Sequence, residues 1–181
     1  MTTWVALLRG VNVGGRNKLS MKRLREILDA LGFADVATYI QSGNCVFRSD
    51  IGDAVTIGTR IADGIAADFG FRPSVFALTR EELDAAIDGN PFAGRIDDPK
   101  FVHLFFLADK VGALDEAGMR ALAAPGDDFA LAGNVFYLMT PAGIGRSKLV
   151  EKLGKFLPVD MTARNLRSAI KIAELGRLLG S

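Results

Sequence analysis

The sequence predicts an α+β fold: two ferredoxin-like βαββαβ (α-β plait) units, each an antiparallel four-stranded sheet, with one extra helix at the C-terminus. Three observations predict it. Strand-like and helical segments alternate as βαββαβ up to residue 78 and again from residue 101. SGNCVF (42–47) and AGNVFY (132–137) echo each other at matching places, which reads as duplication. The strand after the first helix leads straight into a tight hairpin, which a parallel Rossmann sheet cannot use. The expected units are 1–78 and 79–181, the second preceded by a helix and linker (79–100) and closed by a helix over 164–179.

Thr3–Arg9 is short and apolar, as a strand should be. Ser20 can cap a helix whose Leu24, Ile27, Leu28 and Leu31 recur at helical spacing, and Gly32 can end it. VATYIQ (36–41) and CVFRS (45–49) flank Ser42-Gly43-Asn44, where glycine allows the positive φ of a two-residue type II′ turn. Asp53 to Phe69 is helical in spacing and ends before Gly70; RPSVFAL (72–78) is the fourth strand. Thr79 and Glu82 form a capping box for the next helix. In the second unit FVHLFFLA (101–108) is a strand, Val111–Ala124 a helix, and residues 128–134 and 135–140 a hairpin. Ser147–Leu157 is a helix, Val159–Met161 a short strand, and Arg164–Leu179 the last helix, with Thr162 as its N-cap. VHLFFLA is apolar on both faces, so the second sheet face should also be covered, by the other half or by another subunit.

About half the residues are hydrophobic (49%), which indicates a packed globular protein. The one apolar N-terminal run is too short for a signal peptide or a membrane span, so no membrane partner is expected and a cytoplasmic location fits. One cysteine (Cys45) and one histidine (His103) exclude a disulfide framework and a Cys/His zinc site; no metal site is expected. Residues 1–50 carry seven basic and four acidic side chains, 51–145 seven and fourteen, and 146–181 eight and three. The ends are basic and the middle is acidic, and a fold that brought the ends together would create one positive region.

The segment LLRGVNVGGRNKLSM (7–21) poses the functional question. It lacks the Lys-Ser/Thr of a Walker loop and the spacing of G-x-G-x-x-G, leaving a glycine-rich turn between strand and helix whose amides could face an anion. Gly15-Arg16-Asn17-Lys18-Leu19 is echoed by Gly145-Arg146-Ser147-Lys148-Leu149. The first and third strands of a unit are expected to be parallel neighbours, so both helices should begin at one sheet edge. Lys22, Arg23, Lys148, Arg164 and Arg167 would all lie in first helical turns, where cations are disfavoured by roughly 0.3–1 kcal/mol each. Their recurrence there points to a negative ligand. His103 reads as a core histidine bonded to backbone, and Cys45 as a buried thiol. An RNA-recognition sheet is disfavoured, because CVFRS offers one aromatic, Phe47, where a stacking platform needs several.

ALLRGVNVGGRNKLSMKRLREILDALGF followed by DVATYIQSGNCVF resembles the bacterial domain-of-unknown-function 1697 family, and GRSKL and TARNLRSAIKIAEL are similar to its later landmarks. Leu166 follows Asn165 where the family commonly has an aromatic. The resemblance implies two ferredoxin-like units in one chain and supplies no activity, cofactor or catalytic residue. The expected ligand is a phosphate-bearing or other anionic small molecule. Arg9, Asn12, Gly14, Gly15, Arg16, Asn17 and Lys18 would hold it with Gln41, Ser42 and Asn44, completed by Arg146, Ser147, Lys148, Arg164 and Asn165. Nucleic-acid binding is the less favoured alternative, and a homodimer through the apolar sheet face a third reading.

Overall fold

The structure is a computed structural model that describes residues 1–179. The first sheet contains β1 (Thr2–Leu8), β2 (Ala34–Tyr39), β3 (Asn44–Ser49) and β4 (Val75–Thr79) in the order β2-β3-β1-β4, all pairs antiparallel. Helices α1 (Met21–Ala30) and α2 (Ala54–Phe69) connect them, and α3 (Arg80–Asp88) follows. The second sheet repeats the plan with β5 (Val102–Leu107), β6 (Asp128–Ala132), β7 (Val135–Met139) and β8 (Met161–Asn165), ordered β6-β7-β5-β8. Its helices are α4 (Glu116–Leu122) and the single turns α5 (Lys148–Glu151) and α6 (Leu153–Phe156); α7 (Leu166–Leu179) ends the description. The two expected sheets and the duplication are thus present. The described chain divides into two compact units, Met1–Ala85 with residues 170–179, and Ala86–Ala169. The later part of α7 therefore groups with the first unit: Gly176 lies against Val46 and Arg80, and Arg177 bonds Asp84 at 2.5 Å.

Local chemistry sets the helix limits. The Ser20 Oγ accepts from the Arg23 amide at 3.1 Å, and the apolar stripe Met21, Leu24, Ile27 and Leu28 is buried. The Arg60 guanidinium donates to the Leu31 carbonyl at 2.6 Å, closing the far end of α1, and lies 5.6 Å from the centre of the Phe33 ring. Asp53 caps α2 by accepting from the Thr56 amide at 2.7 Å, and Gly70, at φ +74°, closes it. The capping box of α3 is closed in both directions, Thr79 N to Glu82 Oε2 at 2.7 Å and Glu82 N to Thr79 Oγ1 at 3.2 Å. Each unit has its own core. In the first, Phe33 stacks on Phe47 at 4.5 Å; in the second, Phe136 lies 5.9 Å from both Phe105 and Phe129.

Several expectations need correction. The first and third strands are antiparallel neighbours, β1 with β3 and β5 with β7. The crossover helix brings β2 up beside β1, and the hairpin then sends β3 down between them. The two connecting helices of a unit consequently begin at opposite sheet edges, and GRNKL (after β1) and GRSKL (after β7, the third strand of its unit) occupy opposite edges of their own units. The first hairpin is also longer than a type II′ turn. Tyr39 pairs with Asn44, leaving Ile40, Gln41, Ser42 and Gly43 in the loop, with Ile40 at φ +49° and Gly43 at φ +71°. The second hairpin is a two-residue turn between paired Ala132 and Val135, with Gly133 at φ +58°.

In the second unit, Asp115 caps from its side chain to the Gly118 amide at 2.9 Å, so α4 begins well after Val111. Val111 and Leu114 pack on the core from a loop. The helix expected over 147–157 breaks at Lys152, whose φ and ψ are −109° and 8°. The last strand runs through Asn165, so Thr162 is a strand residue and not a cap; the Asn165 Oδ1 accepts from the Ser168 amide at 2.8 Å instead.

Both faces of β5 are buried, Phe105 and Leu107 on the helix-covered side and Val102, Leu104 and Phe106 on the other. On that second face of β7 the Tyr137 hydroxyl donates to the Ala86 carbonyl of α3 at 2.7 Å, and burial pushes its pKa up. Val5, Leu7 and Val46 on the corresponding face of the first sheet are buried too, with Gly176 of α7 against Val46. The contacts seen on these faces come from α3 and α7, elements the strand pattern did not assign to this role.

Candidate functional site

The stretch between β1 and α1 folds into a small hairpin of its own. Asn12 N donates to the Asn17 carbonyl at 3.1 Å and Arg16 N to the Val13 carbonyl at 3.0 Å. Gly14 and Gly15 form the tip at φ +58° and +74°, the type I′ pattern that glycine adopts without steric cost. Asn12 anchors the base. Its side-chain Nδ2 donates to the carbonyls of Leu19 and Gln41, each at 2.8 Å, and its Oδ1 accepts from the Leu19 amide at 2.8 Å. The Asn17 side chain donates to the Gly10 carbonyl at 3.1 Å. One residue thereby ties three pieces together: the hairpin, the buried Leu19 ahead of α1, and the β2–β3 loop.

Arg9, Asn12, Gly14, Gly15, Arg16, Asn17, Lys18, Gln41 and Ser42 are all exposed at this edge of the first sheet. Asn44 differs: it is fully buried and donates to the Tyr39 carbonyl at 3.1 Å, so it holds the hairpin rather than facing solvent. Residues 1–25 contain six cations and no carboxylate. Arg23 is neutralised by the Asp68 carboxylate, with two bonds at 2.7 Å, and by Glu26 at 2.9 Å. These bonds raise the Arg23 pKa and hold Asp68 below the usual carboxylate range. Arg16, Lys18 and Lys22 have no carboxylate partner among the described residues. The Gly14 and Gly15 amides likewise make no hydrogen bond within the described chain. The edge can therefore offer cations and unspent donors to an anion.

The second unit distributes its candidates differently. Arg146 and Lys148 are exposed, while Ser147 is buried and its Oγ accepts from the Val150 amide at 3.2 Å. Arg164 belongs to β8, not to a helix start, and donates to Thr162 Oγ1 at 2.9 Å and to the Ala163 carbonyl at 2.8 Å. Arg167 does open α7, but Asp98 lies 2.7 Å away and compensates it. Uncompensated first-turn cations thus reduce to Lys22 and Lys148, which removes most of the argument from helix ends. An open groove of about 410 Å³ runs along β6, lined by Leu114, Glu116, Phe129 and Leu131, and none of the expected residues lines it. Among the described residues no group of three His, Cys, Asp or Glu side chains could hold a metal ion, and no helix is long and apolar enough to cross a membrane.

Sequence reasoning missed two features. Ile40, a β-branched residue, sits in the left-handed region beside the loop, a conformation that costs on the order of 1–3 kcal/mol. His103 is not bonded to backbone as expected: its Nδ1 is buried without a hydrogen-bond partner, and so is the Thr140 hydroxyl, just past the end of β7. Desolvation pushes the His103 pKa down to about 4 from 6.5. The folded chain therefore disfavours the proton that the unfolded chain takes up near pH 6.5. This contribution to stability is complete above that pH and is lost as pH falls toward 4. Asp53, Asp68, Asp98 and Asp128 are all held below their ordinary 3.8, so their losses lie at more acid pH. Replacing His103 with Phe is expected to flatten the stability profile between pH 6.5 and 4, followed by urea unfolding at each pH; identical slopes in both proteins would show the imidazole to be solvated.

Comparison with known proteins adds a family and a fold. The family described as "Protein of unknown function (DUF1697)" matches residues 1–137. A conserved bacterial protein from Streptococcus pneumoniae, SP0830, is similar in structure with a TM-score of 0.72 and 24% identity, covering 97% of this chain and 98% of its own. No curated protein matches the chain. The structural likeness supports the duplicated ferredoxin-like architecture.

Proposed function

Since this chain belongs to the DUF1697 family, whose description assigns no activity, we propose from its own residues that it binds a phosphate-bearing anion at the loop edge of the first unit. One observation carries the reading: Arg16, Lys18 and Lys22 lack carboxylate partners and stand on the same short segment as the unengaged Gly14 and Gly15 amides. Such a segment repels cations, and the amides supply directional donors that a point charge alone would lack. Arg9, Gln41 and Ser42 lie at the same edge and extend the polar surface.

The test uses inorganic pyrophosphate as the probe, with thermal unfolding as the readout. Ligand at one hundred times its dissociation constant adds about 2.7 kcal/mol. Wild-type protein is expected to be stabilised and the Arg16→Glu, Lys18→Glu double variant is not. Equal response of both, or none at any concentration, would overturn the proposal. A second reading, nucleic acid held by its backbone, draws support from the hairpin's projection into solvent, which suits a polymer better than an enclosed guest. Binding that weakens linearly in log salt with a slope of several units would favour the polymer over the small molecule.

A further inference from the structure

We infer that the loop edge of the first unit is a docking surface for an anionic lipid membrane, with Val13 and Ile40 entering the headgroup layer and Arg16, Lys18 and Lys22 facing lipid phosphate. The inference rests on the anion reading above and names the source of the phosphate. It needs no spanning helix, because attachment is from the surface.

Two observations separate a membrane from a soluble ligand. The first is exposed apolar surface. Val13 is 64% exposed and Ile40 50%, two of the five large apolar side chains that stand exposed among the described residues. They lie on different loops, yet each is next in sequence to one end of the same 2.8 Å hydrogen bond, from the Asn12 side chain to the Gln41 carbonyl. The second is the conformation of Ile40. At φ +49° an exposed asparagine or glycine would fold at lower cost than a β-branched aliphatic. Ile40 nonetheless leaves about half of its aliphatic side chain in solvent, available to a contact outside the chain. Exposed aliphatic side chains and cations on one loop edge match the boundary between headgroups and acyl chains. A nucleic acid would use aromatic stacking, and this loop has no aromatic; Tyr39, at the end of β2, is half-buried.

The experiment is co-sedimentation of the full chain with vesicles of phosphatidylcholine, with or without phosphatidylserine. Wild type is expected to sediment only with the mixed vesicles, less so as salt rises. The Val13→Ser, Ile40→Ser variant should bind about tenfold more weakly or worse, and each removed cation should cost about fivefold. Val13→Ser alone, at an exposed tip, guards against misfolding of the double variant. Absence of binding to the mixed vesicles overturns the inference, as does equal binding by the serine variants. If pyrophosphate still protects the protein when vesicles fail, the anion site stands and only the membrane falls. If neither binds, both fall. Retention of a soluble oligonucleotide in place of vesicles would assign the surface to nucleic acid and also overturn it.

Discussion

Gly43→Ala is expected to destabilise the first unit by about 2–5 kcal/mol. The position is buried in the β2–β3 loop at φ +71°. A Cβ built there would stand 2.7 Å from Leu8 Cβ and 2.7 Å from Val11 Cγ2. Neither neighbour can retreat. Leu8 is 1% exposed at the end of β1, and its amide donates to the Gly43 carbonyl at 2.8 Å; Val11 is 2% exposed in the same core. The methyl group therefore either separates the hairpin from β1 or forces the core apart, on top of the left-handed strain. Gly133→Ala is the control. That glycine, at φ +58°, has open space around its would-be Cβ, so the expected cost is the conformational part alone, about 1 kcal/mol. Urea unfolding measures both as shifts in midpoint at unchanged slope. Equal costs at the two positions would show that the overlap at Gly43 relaxes freely.

The contrast also shows what the sequence could reveal. Gly43-Asn44 and Gly133-Asn134 look alike in a list of residues, and both do mark hairpins, because local turn chemistry is written in adjacent residues. The register is not. Asn44 opens β3 and is buried, whereas Asn134 lies in the turn, and what differs is the remote segment that docks on the first loop through Asn12. The same division runs through the helices. Ser20, Asp53 and the Thr79–Glu82 pair announced their helices, since capping is local. Arg164 was misplaced by the same logic: TARN carries cap-like residues, and pairing with β5 overrides them. Of the candidate site, the cations and glycines could be read directly. Their neutralisation could not, since Asp68 reaches Arg23 across 45 positions of sequence and Asp98 reaches Arg167 across 69. Strain at Ile40 has no sequence signature at all, because isoleucine there argues for a strand.

Asn12→Ala is expected to cost about 2–4 kcal/mol and to disorder the loop edge. Three 2.8 Å hydrogen bonds end on this one amide, and two of them satisfy the Leu19 backbone at a buried residue. Alanine also tolerates φ +56° less readily than asparagine. Asn12→Gly separates the two causes: it keeps the backbone freedom and loses the same bonds, so a cost close to that of alanine assigns the effect to the amide. Asn12→Asp is the sharper variant. It retains an acceptor for the Leu19 amide but sets a carboxylate oxygen against the Leu19 and Gln41 carbonyls, so it should be no better than glycine. These changes leave every cation in place. If the edge binds anions because the hairpin and the β2–β3 loop are held together, pyrophosphate protection falls in all three variants although the charge is unchanged in two of them. Protection that survived Asn12→Gly would mean that the cations act as loose charges, and that the geometry of the loop contributes nothing to recognition.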